Sequence, residues 1–318
     1  MIPLVISCVL GFLIISGICF YFFMIIFASH CIYVQTLKRK DKTQWGRETP
    51  IESSQQIEMH KIGACWSENN KSYKRDVHIV NAGLNLYGEY YDFGFDRCVM
   101  ILSGRTESLK YGYYFAIPYF EIGFNVLVFD PRAHGESDGE FNTVGFEESL
   151  DAVKWAQFLE NECGIKTIIF HGICIGASTG MLAITNETCP ESVKGIVTEG
   201  MFANFGESMK NHLIERKKLW FPVMQCIDFW MWVYTRHSMK RGPIDKIDKL
   251  KKPLLMLQSM EDKYSTPVNA QKLYDKCGSL KKRLVWFPKG AHSMLRITDT
   301  ASYDDSIKDF IKNNFLEV

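Results

Sequence analysis

Six short apolar runs constrain this chain more than any other feature. They are CVMILSG (98–104), NVLVFD (125–130), TIIFHG (167–172), GIVTEG (195–200), PLLMLQS (253–259) and RLVWFP (283–288). Near-continuous apolar runs of this length suit strands buried on both faces of a parallel sheet. Between them Phe146, Leu150, Val153, Ala156 and Leu159 recur at helical spacing. Upstream, VHIVNAGLNLYGEYY alternates around Asn81-Ala82-Gly83, which is a hairpin signal. The pattern predicts an α/β domain, a mostly parallel central sheet flanked by helices, over residues 74–318.

One interval is too long for a simple crossover. Residues 201–251 carry Phe202, Phe205, Trp220, Phe221, Phe229, Trp230, Trp232 and Tyr234. Most of these suit helical core. The position after a strand end also suits a helical lid over an apolar pocket.

HGICIGASTG (171–180) holds two overlapping turns, G-x-C-x-G around Cys174 and G-x-S-x-G around Ser178. A nucleophile elbow sits where a strand ends and a helix begins, with small residues on either side. The strand TIIF places Cys174 there. Ser178 falls about one turn into the following helix, where a small residue lets the helix approach the sheet. The plainer reading of Cys174 is a buried inert thiol. Against it stand an acid and a histidine in the expected order, each after a strand: Met260-Glu261-Asp262 and Lys289-Gly290-Ala291-His292. His292 would act as the base and Asp262 would orient it, with Glu261 the competing acid. Oxyanion donors would be the backbone N–H of Ile175, at the helix start, and that of Arg105 in SGRTES (103–108), where Gly104 lets the backbone approach.

With these residues in hand, the sequence resembles the α/β-hydrolase superfamily. Within it the chain looks like the membrane-anchored bacterial hydrolases of the serine-aminopeptidase-like and lysophospholipase-like branch. GRTESLKY, VLVFDPRAHGESDG, HGICIGAS, PIDKIDKLKKPLLMLQSMED and GAHSM stand in that branch's order, and the likeness covers roughly residues 75 to 318. It implies that Asp130 and His134 are scaffold. Two positions depart from the pattern. Cys174 replaces the usual elbow serine, and Ser103 replaces the usual histidine before the oxyanion glycine. Dienelactone-hydrolase-like and bile-acid-conjugating acyltransferase relatives also use cysteine at the elbow.

The chain begins differently. Met1 to Ala28 contains no charged side chain. About 20 apolar residues cross a bilayer, and this run lacks the basic n-region of a cleaved signal. Residues 1–35 are therefore expected to be a transmembrane anchor and 36–73 a polar linker that lies against the domain or the membrane. Lys38, Arg39, Lys40 and Lys42 follow the run, which predicts a single-pass protein with its catalytic domain on the cytoplasmic side. Sequons at Asn70 and Asn186 would matter only if the domain faced outward. Cys31 is a juxtamembrane candidate for acylation. Ten cysteines without a C-x-x-C pair, and no His/Cys cluster with zinc spacing, predict a reduced compartment and neither a metal nor a cofactor. A net charge of +1 gives no reason to expect a nucleic-acid partner.

A thiolate at a helix start beside an imidazolium is a strong nucleophile and forms a thioester acyl-enzyme. The expected activity is cleavage of acyl esters or thioesters, with a lipophilic small-molecule substrate. The alternatives are an acyltransferase on the same site, or a catalytically silent membrane-bound binding or scaffold protein.

Overall fold

The computed structural model describes residues 2–41, 44–46 and 53–316. Lys42, read above as part of the basic cluster, lies outside them. The chain opens with α1 (Ile2–Leu37), followed by α2 (Ser54–Asn69). A two-residue turn, Ala82-Gly83, joins β1 (Lys74–Asn81) to β2 (Leu84–Tyr91); both turn residues have positive φ, as a type I′ hairpin requires. Then come β3 (Arg97–Leu102), α3 (Leu109–Phe120), β4 (Asn125–Phe129), α4 (Phe146–Asn161), β5 (Thr167–Ile173), α5 (Ile175–Ile184) and β6 (Val193–Glu199). The predicted lid holds α6 (Phe205–Glu215) and α7 (Val223–Thr235). The chain closes with β7 (Leu254–Ser259), α8 (Pro267–Lys276), β8 (Lys282–Phe287), α9 (Leu295–Thr298) and α10 (Thr300–Phe315).

The eight strands form one sheet in the order β1-β2-β4-β3-β5-β6-β7-β8. From β4 to β8 every pairing is parallel; only β1–β2 and β2–β4 are antiparallel. Burial follows position in the sheet. The central strands β3, β4, β5 and β7 are buried almost throughout, whereas the edge strand β1 alternates. That is why the central runs were legible as continuous apolar segments and β1 as an alternating one; the run of β8, at the opposite edge, is apolar although the strand is only partly buried. Trp155 of α4, Met181 of α5 and Leu273 of α8 fill one face of the sheet. Tyr114 of α3 and Ile307 and Phe310 of α10 fill the other.

The stretch expected to be a polar linker contains structure. Helix α2, capped by Ser53 accepting from the Gln56 N–H, buries Met59, Gly63 and Trp66. Gly63 is where α2 crosses α3, since a Cβ there would come within 2.9 Å of the Tyr114 backbone nitrogen. Helix α1 also runs two residues past the predicted end of the anchor. It is then stitched to the loop after β4: Arg39 N–H donates to Glu140 O (2.7 Å) and Asn142 N–H donates to Leu37 O (2.8 Å). The Arg39 guanidinium is buried and donates to the carbonyls of Asp41, Ser137 and Gly135. Lys38 pairs with Glu140. Two of the four basic residues after the apolar run thus fasten the end of α1 to the domain.

Candidate active site

Strand β5 ends at Ile173, and Cys174 follows at φ 54°, ψ −115° as the N-cap of α5. Such a φ is strained for a residue with a side chain and persists only where the surroundings impose it. Two glycines make it possible. A Cβ on Gly172 would lie 2.4 Å from Gly176 O, and one on Gly176 would lie 1.8 Å from Leu102 O. The G-x-C-x-G turn is therefore the elbow. Ser178 sits inside α5, fully buried, and its Oγ has no hydrogen-bond partner among the described residues.

The elbow is tied to β6 by Cys174 N–H donating to Glu199 O (2.9 Å). His292 lies on the loop after β8. Its Nδ1 is 2.7 Å from Asp262 Oδ2, and a carboxylate can only accept, so the ring nitrogen is the donor. Asp262, after β7, is almost completely buried and its Oδ1 accepts from the N–H groups of Tyr264 and Ser265. Cys174 lines the same pocket as His292, and its sulfur acts electrostatically on that ring. Burial works against charge on this imidazole, but the Cys174 sulfur and Asp262 outweigh it and hold the ring well above its ordinary 6.5. Glu261 points elsewhere and accepts from Gly290 N–H (3.1 Å). The structure pairs His292 with Asp262, places Cys174 in the same pocket, and leaves Glu261 as a brace for the histidine loop.

Other groups fix that loop. Ser259 Oγ donates to Gly290 O. Leu295 N–H donates to Glu199 Oε1 (3.0 Å), while Tyr303 OH donates to Glu199 Oε2 (2.7 Å). Burial raises the Glu199 carboxyl. Gly200, at φ 60°, leaves the space that His292 occupies, because a Cβ there would meet His292 Cε1 at 3.0 Å.

On the other side of Cys174, Ile175 opens α5, so its N–H is among the four helix-start donors without an intrahelical acceptor. Arg105 lies on the pocket wall in the loop after β3. Its guanidinium donates to Thr36 O (3.5 Å), Gly104 N–H donates to Glu107 Oε2 (2.8 Å) and Thr106 N–H donates to His134 Nε2 (3.3 Å). Asp130 accepts from Leu109 and Glu136 N–H, and His134 Nδ1 is 2.9 Å from Arg132 O. Both residues hold turns, as the resemblance implied.

The pocket over Cys174 has a volume of about 340 Å³. Phe205, Met209 and Leu213 of α6 form its apolar wall. Several lining residues were not anticipated from sequence. Glu107 is pushed up to about 7 by burial, opposed by its bond from Gly104; its reach back over three residues has the spacing of a capping box, which was the available signal. His212 stacks on Tyr264 at 3.6 Å and is pushed down to about 4, first by burial and then by Arg105. Ile32, Gln35 and Thr36 of α1 also line the pocket. No local signal in an apolar helix marks residues that will reach a distant pocket.

Comparisons with known proteins agree with this architecture. A family model described as alpha/beta hydrolase fold matches residues 98–224. The Pyrococcus furiosus esterase Pf2001 superposes with a TM-score of 0.65 at 22% identity, covering 79% of this chain and 95% of that one.

The chain has the α/β-hydrolase fold.

Among sequence relatives, the uncharacterized protein YqkD of Bacillus subtilis is 29% identical over 220 residues, 68% of this chain and 70% of that one. The uncharacterized membrane protein YNL320W of Saccharomyces cerevisiae is 22% identical over 218 residues, with 67% and 70% covered. Protein bem46 of Schizosaccharomyces pombe is 24% identical over 205 residues, with 62% and 60% covered.

Proposed function

We propose that this protein is a bilayer-anchored acyl hydrolase that cleaves esters or thioesters through Cys174, His292 and Asp262. The observation that carries the reading is a cysteine held at φ 54° at the head of α5, in one pocket with the hydrogen-bonded His292–Asp262 pair. An inert core thiol needs neither that backbone conformation nor a buried imidazole–carboxylate pair beside it.

In the first half-reaction the Cys174 thiolate attacks the acyl carbonyl carbon. A C–S bond forms and the carbonyl oxygen takes the negative charge, stabilised by the N–H groups of Ile175 and Arg105. As the oxyanion collapses, the bond to the leaving alkoxide or thiolate breaks, and His292 gives that group its proton. In the second, His292 takes a proton from water. The hydroxyl attacks the thioester, the carboxylic acid leaves, and the thiolate returns. Asp262 keeps one ring tautomer throughout. The wall of Phe205, Met209 and Leu213 suits an apolar acyl group. The esterase name of the Pyrococcus neighbour supports the reaction class as an analogy only.

The anchor belongs to the same reading. Ile6 to Met24 is a continuous exposed apolar stretch, save the partly covered Gly11, and 19 residues of helix span about 28 Å, close to the hydrocarbon thickness of a bilayer. The basic side of α1, and with it the domain, is placed in the cytoplasm by the positive-inside rule. The test is intact-mass spectrometry of the full-length protein after exposure to a panel of acyl esters and thioesters. An acyl adduct that maps to Cys174 and decays in water is expected. No adduct from any member of the panel removes the proposal.

A further inference from the structure

The lid does not pack only on the domain; α7 also lies along α1. Trp230 Nε1 donates to Ile26 O (3.3 Å), and Tyr234 OH lies 2.8 Å from His30 Nε2. Both pairs have the same offset of 204 residues. Advancing along one helix therefore advances along the other, and the two run parallel. The contact continues as Tyr33 stacks on Tyr234 at 5.4 Å. On α1 the buried positions are Ile25, Ser29, Tyr33 and Leu37, one face at four-residue spacing that starts where the freely exposed apolar run stops.

This register sets a level for the lid. Ile26 lies at the end of the stretch that spans the bilayer, so Trp230 lies there too. Val223 is seven residues earlier in α7, about 10 Å back toward the apolar part of α1. The loop before it carries Leu219, Trp220 and Phe221, with Leu219 and Phe221 each 59% exposed. Phe229 and Trp232 are more than half exposed on α7 itself. Soluble surfaces scatter such side chains singly, whereas contiguous ones mark an interaction site. Cations accompany them: Lys210 Nζ stands 4.2 Å over the Trp220 ring, and the Arg236 guanidinium 4.8 Å over Trp232. Lys217 and Lys218 precede Leu219. Aromatic and aliphatic groups flanked by Lys and Arg suit the boundary between acyl chains and anionic headgroups.

The pocket over Cys174 borders the same two segments, beginning on α1 at Ile32, about 9 Å past Ile26 toward the domain. Ile32, Gln35 and Thr36 of α1 line one side, and Leu213, Arg216 and Lys218 at the end of α6 line another. We propose that residues 216–232 are seated in the headgroup–acyl boundary of the bilayer that α1 crosses, and that the pocket draws its acyl ester sideways from that leaflet. The inference rests on reading α1 as a span and Cys174 as the nucleophile of an acyl hydrolase. It adds the substrate class, a membrane-resident acyl ester, and the route by which it arrives.

The test uses the full chain in phosphatidylcholine–phosphatidylglycerol vesicles that contain a phospholipid with a diazirine high on its acyl chain. After illumination, peptide mapping should find lipid adducts on 216–232 as well as on α1. Adducts confined to α1 overturn the seat of the lid, and an absence of adducts on α1 overturns the span and the seat together. The second arm is the triple variant Leu219→Ser, Phe221→Ser, Phe229→Ser, none of which lines the pocket. Its turnover of a long-chain ester held in the vesicle should fall about tenfold, while a short-chain soluble ester is cleaved within about twofold of the wild-type rate. Equal loss on both esters, or no loss on either, overturns lateral entry. If the wild type cleaves neither ester, the hydrolase reading fails and takes lateral entry with it, and the adduct map still decides where the lid sits.

Discussion

The elbow and the lid are built on opposite principles. Around Cys174 the protein leaves no room for even one methyl group on Gly172 or Gly176. The lid helix α7 buries only Val223, Ile227 and Met231 of its thirteen residues and shows large aromatic side chains to the outside. The Cys174 side chain is thus located by backbone crowding, which permits one geometry. Helix α7 is instead held against α1 by side-chain contacts. Catalysis requires the first kind of control, because misplacing a nucleophile by an ångström is costly. Admission of a bulky substrate requires the second.

The comparison breaks first at the nucleophile. Cys174→Ala should lower the rate of acyl-enzyme formation by about a thousandfold or more, measured by intact mass. Ser178→Ala should leave it within about threefold, since that hydroxyl is buried away from His292. Cys174→Ser should keep simple-ester hydrolysis and lose reaction with thioesters or amine acceptors. A dead Ser178→Ala beside an active Cys174→Ala would move the elbow.

Next comes crowding. Gly176→Ala should destabilise the fold by about 4 kcal/mol or more, because its Cβ would meet Leu102 O at 1.8 Å and backbone cannot step aside. Gly17→Ala is the contrast. Nothing lies within 4 Å of a Cβ there, so the melting temperature in detergent should hold or rise slightly. Similar melting curves for the two variants would contradict the account of the elbow.

The seam between anchor and lid should give a smaller effect. In a double-mutant cycle of His30→Ala and Tyr234→Phe, the coupling should be about 0.5–1 kcal/mol. Amide exchange should speed up in α7 and remain unchanged in β5 and α5. Acceleration that reaches the elbow would show that lid and elbow are one unit.

The smallest expected effect is pH-dependent. The Glu107 carboxyl is raised to about 7, so the folded protein binds a proton that the unfolded chain releases nearer 4.5. The stability this contributes is complete at acid pH and is lost as pH rises through about 7. Glu107→Gln, which keeps an oxygen for Gly104 N–H, removes that loss. The variant should melt higher than wild type at pH 8, by an amount on the order of 1 kcal/mol, with the gap closing toward pH 5. A gap that is the same at both ends would show that ionisation of Glu107 does not matter.

The sequence by itself determined the sheet, because strands buried on both faces must be apolar throughout, and it located the elbow, because only G-x-C-x-G begins where a strand ends. The order of Asp262 and His292 after their strands was legible for the same reason: strand ends project onto one rim of a parallel sheet. It did not separate Asp262 from Glu261. Adjacent carboxylates look alike until the backbone turns one toward His292 and the other toward Gly290. Nor did it show that residues 54–69 form a packed helix, since a face of Met59, Gly63 and Trp66 is too sparse to stand out among polar neighbours. What only the tertiary structure decided was the role of the apolar helix α1 in the pocket. An apolar helix reads the same whether it merely holds a domain to a bilayer or also forms the wall of its pocket. The difference lies in contacts such as Ile26 with Trp230 and His30 with Tyr234, between residues about two hundred positions apart. No periodicity in either segment encodes them, because they arise only when the sheet brings the end of α1 and the lid to the same rim.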